Sequence, residues 1–196
     1  MADNITSDVA LAGEWLSTGR LLAYPSESVW GIGCDAFCER AVQDLLSLKS
    51  RVEDKGLIVL TDKVARIMPL LTHLPNNLRG EVIQKLSQTA QTAQAQTWLL
   101  PVYDMPKFLT GQYDSLAVRI TTHPLLQALC KKLVSSHNPY GFLVSTSCNP
   151  NSSPPAQSIH EAYNYFGDDI CYLQGVTLNF DKPSQIIDIL TGQVIR

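Results

Sequence analysis

The chain has 196 residues, 45% of them hydrophobic and 17% charged, with a formal net charge of −3. That length suits one domain with a substantial core, and that composition excludes a disordered or fibrous chain. The slight acidity argues against nucleic acid held by bulk charge, and no apolar run is long enough to span a bilayer.

Taken in order, Ser7 is placed to cap a helix through Val9, Leu11, Trp15 and Leu16 that stops near Gly19. A short strand follows over 21–24, and its end delivers Ser26, Glu27 and Ser28 before Gly31 and Gly33. Residues 39–50 predict a second helix, with Val42, Leu45, Leu46 and Leu48 inward. The run GLIVLT, 56–61, lacks alternation and reads as a strand buried on both faces. A helical region over 63–87 is broken near Pro69 and Pro75. The Gln/Thr/Ala tract over 87–97 reads as a solvated helix end and loop. Strands are expected over 97–103, 115–120, 142–147 and 185–190. Helices are expected over 123–136 and 159–167, and a final turn leads into the last three residues. Strands and helices mix along the whole length, so the fold class is α/β or α+β with a mixed sheet.

Several motifs fail. Gly31-Ile32-Gly33 lacks the third glycine of a dinucleotide fingerprint and does not open a helix at once. No phosphate-binding P-loop occurs. The five cysteines, Cys34, Cys38, Cys130, Cys148 and Cys171, are scattered and odd in number, which suits reduced thiols in a cytoplasm. No zinc-finger spacing and no secretory leader are found, and the metal-ligand expectation is none. The four histidines are isolated; His123, before Pro124, reads as a cap or turn residue.

Three segments carry polar groups where chemistry collects. Lys49, Arg51 and Lys55 gather before a buried strand, as a phosphate site or as a solvated turn. Arg119 alternates with Val118 and Ile120; it points into a cavity, sits on an exposed sheet face or pairs with a buried acid. The strand over 142–147 runs straight into Ser145, Thr146, Ser147 and Asn149, as ligand contacts or as turn caps.

In order along the chain, AYPSESVWGIGCD, LKSRVEDKGLIVL, FLTGQYDSLAVRITTHPLLQALC, LVSTSCN and PSQIIDILTGQVIR closely resemble the YrdC/TsaC family, the threonylcarbamoyl-AMP synthases. The resemblance covers nearly the whole chain and is that of the single-domain bacterial form, one YrdC-like domain over 1–196. It implies a twisted mixed parallel and antiparallel sheet with flanking helices and a large concave, positively lined cavity. It implies a reaction in which L-threonine, bicarbonate or CO2, and ATP give threonylcarbamoyl-adenylate and pyrophosphate. Mg²⁺ would accompany ATP, and partner proteins would pass the group to tRNA.

By the same resemblance, Lys49, Arg51 and Lys55 face the ATP phosphates, and Ser115, Asn149 and Arg196 lie near the nucleotide. Arg119 holds the threonine carboxylate, with Ser28, Ser147 and Ser184 on the threonine side. The catalytic set is then Lys49, Arg51, Ser147 and Asn149. Gly31 and Gly33 would let backbone approach the ligand. The nucleophile is the substrate's own carbamate, so no nucleophilic side chain is needed. The chain departs from the family pattern at Ser26, Val52, Cys148 and Ser152. It also has the Gln/Thr/Ala tract where relatives carry a Trp-Pro-Gly-Pro-x-Thr segment, of which Thr97 survives. Two other readings stand beside it: an RNA-binding protein of ribosome maturation, and a nucleotide-binding paralogue with reduced activity.

Overall fold

The computed structural model describes residues 3–50, 55–88 and 94–196. In chain order they form β1 (Ile5–Thr6), α1 (Val9–Ser17), β2 (Leu22–Pro25), β3 (Trp30–Asp35), α2 (Glu39–Leu48) and β4 (Ile58–Thr61). Then come α3 (Asn76–Gln88), β5 (Gln96–Pro101), α4 (Lys107–Thr110), β6 (Ser115–Ile120) and α5 (Pro124–Leu133). The last elements are β7 (Leu143–Ser147), α6 (Ile159–Phe166), β8 (Cys171–Leu173) and β9 (Gln185–Asp188).

The strands join one mixed sheet in the order β1-β8-β2-β3-β7-β4-β6-β5-β9. The β1–β8, β2–β8, β4–β6 and β5–β9 pairs are parallel. The β2–β3, β3–β7, β4–β7 and β5–β6 pairs are antiparallel. The last three residues return alongside β9, where the Ile186 N–H donates to the Arg196 carbonyl at 3.0 Å.

Period-two alternation assigns the two faces. On one face Ala23, Ile32, Val59, Val118 and Val144 join the larger core with α2, α3 and α6. On the other, Leu22, Tyr24, Leu60 and Leu143 pack under α1 and α5 through Trp15, Leu16, Leu126, Leu129 and Leu133. Those two helices cover only part of that face. Further along the same strands, Ile58, Ala117, Arg119, Ser145 and Ser147 carry the face onward and line a hollow instead. The register requires this: Ile58 pairs with Ala117 and Leu60 with Arg119, and paired residues share a face.

Several expectations need correcting. Helix α1 is capped by Asp8, whose side chain accepts from the Ala10 N–H at 2.7 Å, one residue after the expected Ser7. The region from 63 begins as two 3-10 turns, Val64–Arg66 and Met68–Leu71, and becomes α-helical only at Asn76. Of the Gln/Thr/Ala tract, residues 89–93 lie outside the described residues, while Gln96 and Thr97 already belong to β5. Strand β3 was not anticipated, because two strand-disfavouring glycines interrupt it and Ile32 is its one β-branched residue.

The glycines of β3 serve the packing between strands. A Cβ on Gly33 would sit 1.7 Å from the Val144 carbonyl oxygen and 2.7 Å from the Tyr24 hydroxyl. A Cβ on Gly31 would meet the Tyr24 ring at 2.7 Å. The fully buried Tyr24 ring lies over this glycine strip, and its hydroxyl donates to the Val144 carbonyl at 3.3 Å. Gly31 also lines the hollow, but Gly33 is not among its lining residues.

Gly33→Ala forces β3 and β7 apart. It should cost about 3 kcal/mol, read as a Tm lowered by roughly 6–12 °C for a chain of this size. Thermal unfolding followed by circular dichroism checks it; an unchanged Tm would contradict the contact.

Candidate active site

The hollow has a volume of about 910 Å³. Its floor is the uncovered sheet face. One wall is the turn after β2, with Ser26 and Ser28, and another is the segment over 179–184. That segment is held across the turn: the Leu178 N–H donates to the Ser26 carbonyl at 3.2 Å and the Phe180 N–H to the Glu27 carbonyl at 2.9 Å. Asn179, between them, takes a left-handed backbone with φ of 57°. Asparagine tolerates that conformation better than most residues, which lets both neighbouring amides face the turn.

Seven of the sequence-derived candidates line this one hollow: Ser28, Lys55, Ser115, Arg119, Ser147, Ser184 and Arg196. Lys49 and Asn149 are not among its lining residues; they are bonded to each other beside Ser147, which is. The Lys49 ammonium donates to the Ser147 carbonyl at 2.7 Å, to the Asn149 side-chain oxygen at 2.9 Å and to the Asn149 carbonyl. It thereby fastens the end of β7 to the end of α2. Arg51 lies outside the described residues.

Arg119 is the best-anchored cation of the lining. Its Nε donates to Thr97 Oγ1 at 3.2 Å, one terminal nitrogen to Ser184 Oγ at 2.8 Å, and the other to Glu27 Oε2 at 3.4 Å. Glu27 is 1% exposed. Its Oε1 accepts from the Thr121 hydroxyl at 2.6 Å and from the Thr122 N–H at 3.1 Å. Burial pushes this carboxyl's pKa up. The Arg119 charge, the Thr121 hydroxyl and backbone N–H groups outweigh burial and hold it below the ordinary value. Two of the alternatives for Arg119 thus hold together: it lines a cavity and it pairs with a buried acid.

Lys182 and Asp181 also line the hollow, as do the apolar Leu57, Leu99, Leu109, Ile186 and Ile195 beside Tyr113. Lys55, Arg119, Lys182 and Arg196 stand against the single acid Asp181 in the lining, so it is net positive among the described residues. Burial and the Arg119 charge both lower the pKa of Arg196. The resemblance puts the Ser26-Glu27-Ser28 strand end at a wall of the amino-acid pocket but gives Glu27 no role of its own. The available signal was a carboxylate inside an apolar strand end, which needs a cation. Burial pushes the Cys148 thiol up to about 12, against the pull of Lys49, so it is no thiolate nucleophile at neutral pH. Among the described residues, no cluster of three His, Cys, Asp or Glu side chains could hold a metal.

The Glu27 shift has a fixed sign. Its folded pKa lies below the ordinary 4.5, so the stability it contributes is full above that pH and is lost as pH falls through the folded value. Urea unfolding of the wild type and of Glu27→Gln should therefore differ by a constant margin above pH 4.5, a margin that shrinks on further acidification. A margin that instead grew toward acid would reverse the assignment.

Known proteins resemble this chain along nearly its whole length. Residues 14–196 match the Sua5/YciO/YrdC family model, described as telomere recombination. A threonylcarbamoyl-AMP synthase of Psychrobacter cryohalolentis is 51% identical, over 98% of this chain and 97% of its own. One of Moraxella catarrhalis is 47% identical, over 96% and 95%. Among solved structures, P. abyssi Sua5 complexed with L-threonine aligns with a TM-score of 0.78 at 25% identity, covering 92% of this chain and 50% of that one. This chain therefore spans about half of that Sua5 chain. E. coli YciO aligns with a TM-score of 0.72 at 17% identity, over 95% and 89%, a likeness of fold. With the family model matched over nearly all of its length and relatives this similar, the chain belongs to the Sua5/YciO/YrdC family.

Proposed function

We infer that this protein is a threonylcarbamoyl-AMP synthase, a nucleotidyltransferase that joins L-threonine, bicarbonate or CO2, and ATP. The observation that carries this is a single hollow holding an anchored arginine, a ring of hydroxyls and further cations. Relatives bearing that enzyme's name, close to half identical along their whole length, support it. We read residues 1–196 as one such domain.

The chemistry asks for positioning and charge neutralisation. Threonine, bound as its zwitterion, gives its ammonium proton to solvent; the neutral amine then adds to carbon dioxide and releases a second proton to solvent, becoming a carbamate. A carbamate oxygen attacks the α-phosphorus, the bond to the β-phosphate oxygen breaks, and pyrophosphate leaves with that electron pair. The carbamate and ATP are both anionic, so cations and aligned donors lower the barrier, and proximity supplies much of the rest. Arg119 would grip the threonine carboxylate, with Ser28, Ser147 and Ser184 around the amino acid. Lys55, Ser115 and Arg196 would face the nucleotide, with Arg51 beyond the described residues. Lys49 and Asn149 would shape the turn after Ser147 from which hydroxyl and amide reach the reacting groups.

Asp181 is the one carboxylate of the described lining. Mg²⁺ in such sites is held by one or two carboxylates together with the substrate's phosphates, so it belongs in this reading as a companion of ATP. The product adenylate would pass to partner proteins that modify tRNA. Five free thiols suit a cytoplasmic setting, and no described helix is long and apolar enough to cross a membrane.

Incubation with threonine, bicarbonate and MgATP should release pyrophosphate in a threonine-dependent way. Release that is absent, or equal without threonine, removes the enzyme reading, and salt-sensitive tRNA binding in its place would favour an RNA-binding role. Arg119→Lys keeps the charge opposite Glu27 and loses the planar fork. It should raise the threonine KM by ~10-fold or more, one charged hydrogen bond's worth, with the ATP KM little changed. An unchanged threonine KM would remove Arg119 from the amino-acid pocket.

A further inference from the structure

Resting on that reading, we propose that Glu27 positions Arg119 and determines what the amino-acid end of the hollow accepts. It fixes the guanidinium as a fork for one carboxylate and cancels its charge toward phosphate groups.

The geometry carries both halves. A guanidinium has five N–H donors. Thr97, Ser184 and Glu27 take one each, from Nε and from the two terminal nitrogens. One N–H remains on each terminal nitrogen, and a pair so placed matches the two oxygens of a carboxylate. The three tethers come from separate places: β5, the segment before β9, and the turn after β2. Together they fix the plane of the group as well as its position. Glu27 is itself immovable, because its other oxygen is held by Thr121 and Thr122.

The second half concerns charge. Four cations line the hollow, and among the described residues only Arg119 has a carboxylate in an ion pair with it. That carboxylate's side chain is 2% exposed, so water screens it little. A polyphosphate approaching Arg119 meets a neutral pair, while toward Lys55, Lys182 or Arg196 it meets positive charge with no such buried partner among the described residues. A zwitterionic amino acid loses less, because its ammonium is attracted by the same Glu27 field that weakens the grip on its carboxylate. The ion pair thus divides one positive hollow into an end for a zwitterion and an end for phosphates. This is specificity by a repulsive element built beside an attractive one.

The test compares the wild type with Glu27→Gln and Thr121→Val, using threonine-dependent pyrophosphate release and inorganic phosphate as the competing anion. The wild type must first show threonine-dependent release; without it the functional reading itself fails, separately from this proposal. In Glu27→Gln the threonine KM should rise ~10-fold or more, the worth of one charged hydrogen bond, while the ATP KM changes little. Phosphate, not competitive with threonine in the wild type, should become so. Thr121→Val keeps the charge and loosens its anchor, so its threonine KM should rise without any new phosphate competition. A role confined to stability would leave these constants in the folded fraction unmoved. A threonine KM within about 2-fold of wild type in Glu27→Gln, less than the weakest such bond, overturns the proposal. So does a raised KM with phosphate still not competing. Should Glu27→Gln fail to fold, Thr121→Val decides alone: a raised threonine KM with unchanged ATP KM supports the positioning, and two unchanged constants overturn it.

Discussion

Glu27 and Arg119 meet from positions 92 residues apart, and the site depends on that meeting. Either charge alone in this setting would be costly, since a buried carboxylate without a partner either pays for desolvation or takes up a proton. Paired, and with Thr121, Thr122, Thr97 and Ser184 bonded around them, they join the turn after β2 to β5, β6 and the approach to β9. The pair thus does two jobs. It closes the sheet's far side onto its near side, and it aims a guanidinium into the hollow.

The hollow exists because two helices are too few to cover a nine-stranded face. Helices α1 and α5 pack over β2, β7 and β4 at one end of their strands. Where they stop, the residues on the same face change from Leu60 and Leu143 to Ala117, Ser145 and Ser147. Small and hydroxyl side chains there leave room for the hollow, whose remaining lining includes the apolar Leu57, Leu99, Leu109, Ile186 and Ile195. Stability and function meet at that boundary along each strand.

The glycine strip of β3 sets the local thickness of the sheet. Tyr24 lies across Gly31 and Gly33, and the backbones of β3 and β7 approach until the Val144 oxygen occupies the space of a Cβ. This close approach brings Ser147 into register with Gly31, at the edge of the hollow. Resemblance alone had given both glycines to the ligand. Packing gives Gly33 to the neighbouring strand and leaves Gly31 shared between the tyrosine ring and the hollow.

By itself, the sequence determined the mixed α/β class, most helices and strands, and the set of segments that carry charge and hydroxyls. Apolar periodicity and local capping are properties of neighbours along the chain, so they can be read there. Its ordered motifs also pointed to the family, because Arg119, the Ser147–Asn149 turn and the last residues recur in a fixed order. Tertiary structure alone decided which cation pairs with which acid, that Lys49 binds the turn around Asn149, and that the segment over 179–184 forms a wall. Those contacts join residues tens of positions apart, and their energies depend on burial and register, which no local pattern encodes. Strand β3 escaped notice for the same reason: its glycines are tolerated in a strand only because Tyr24 and Val144 fill the space beside them.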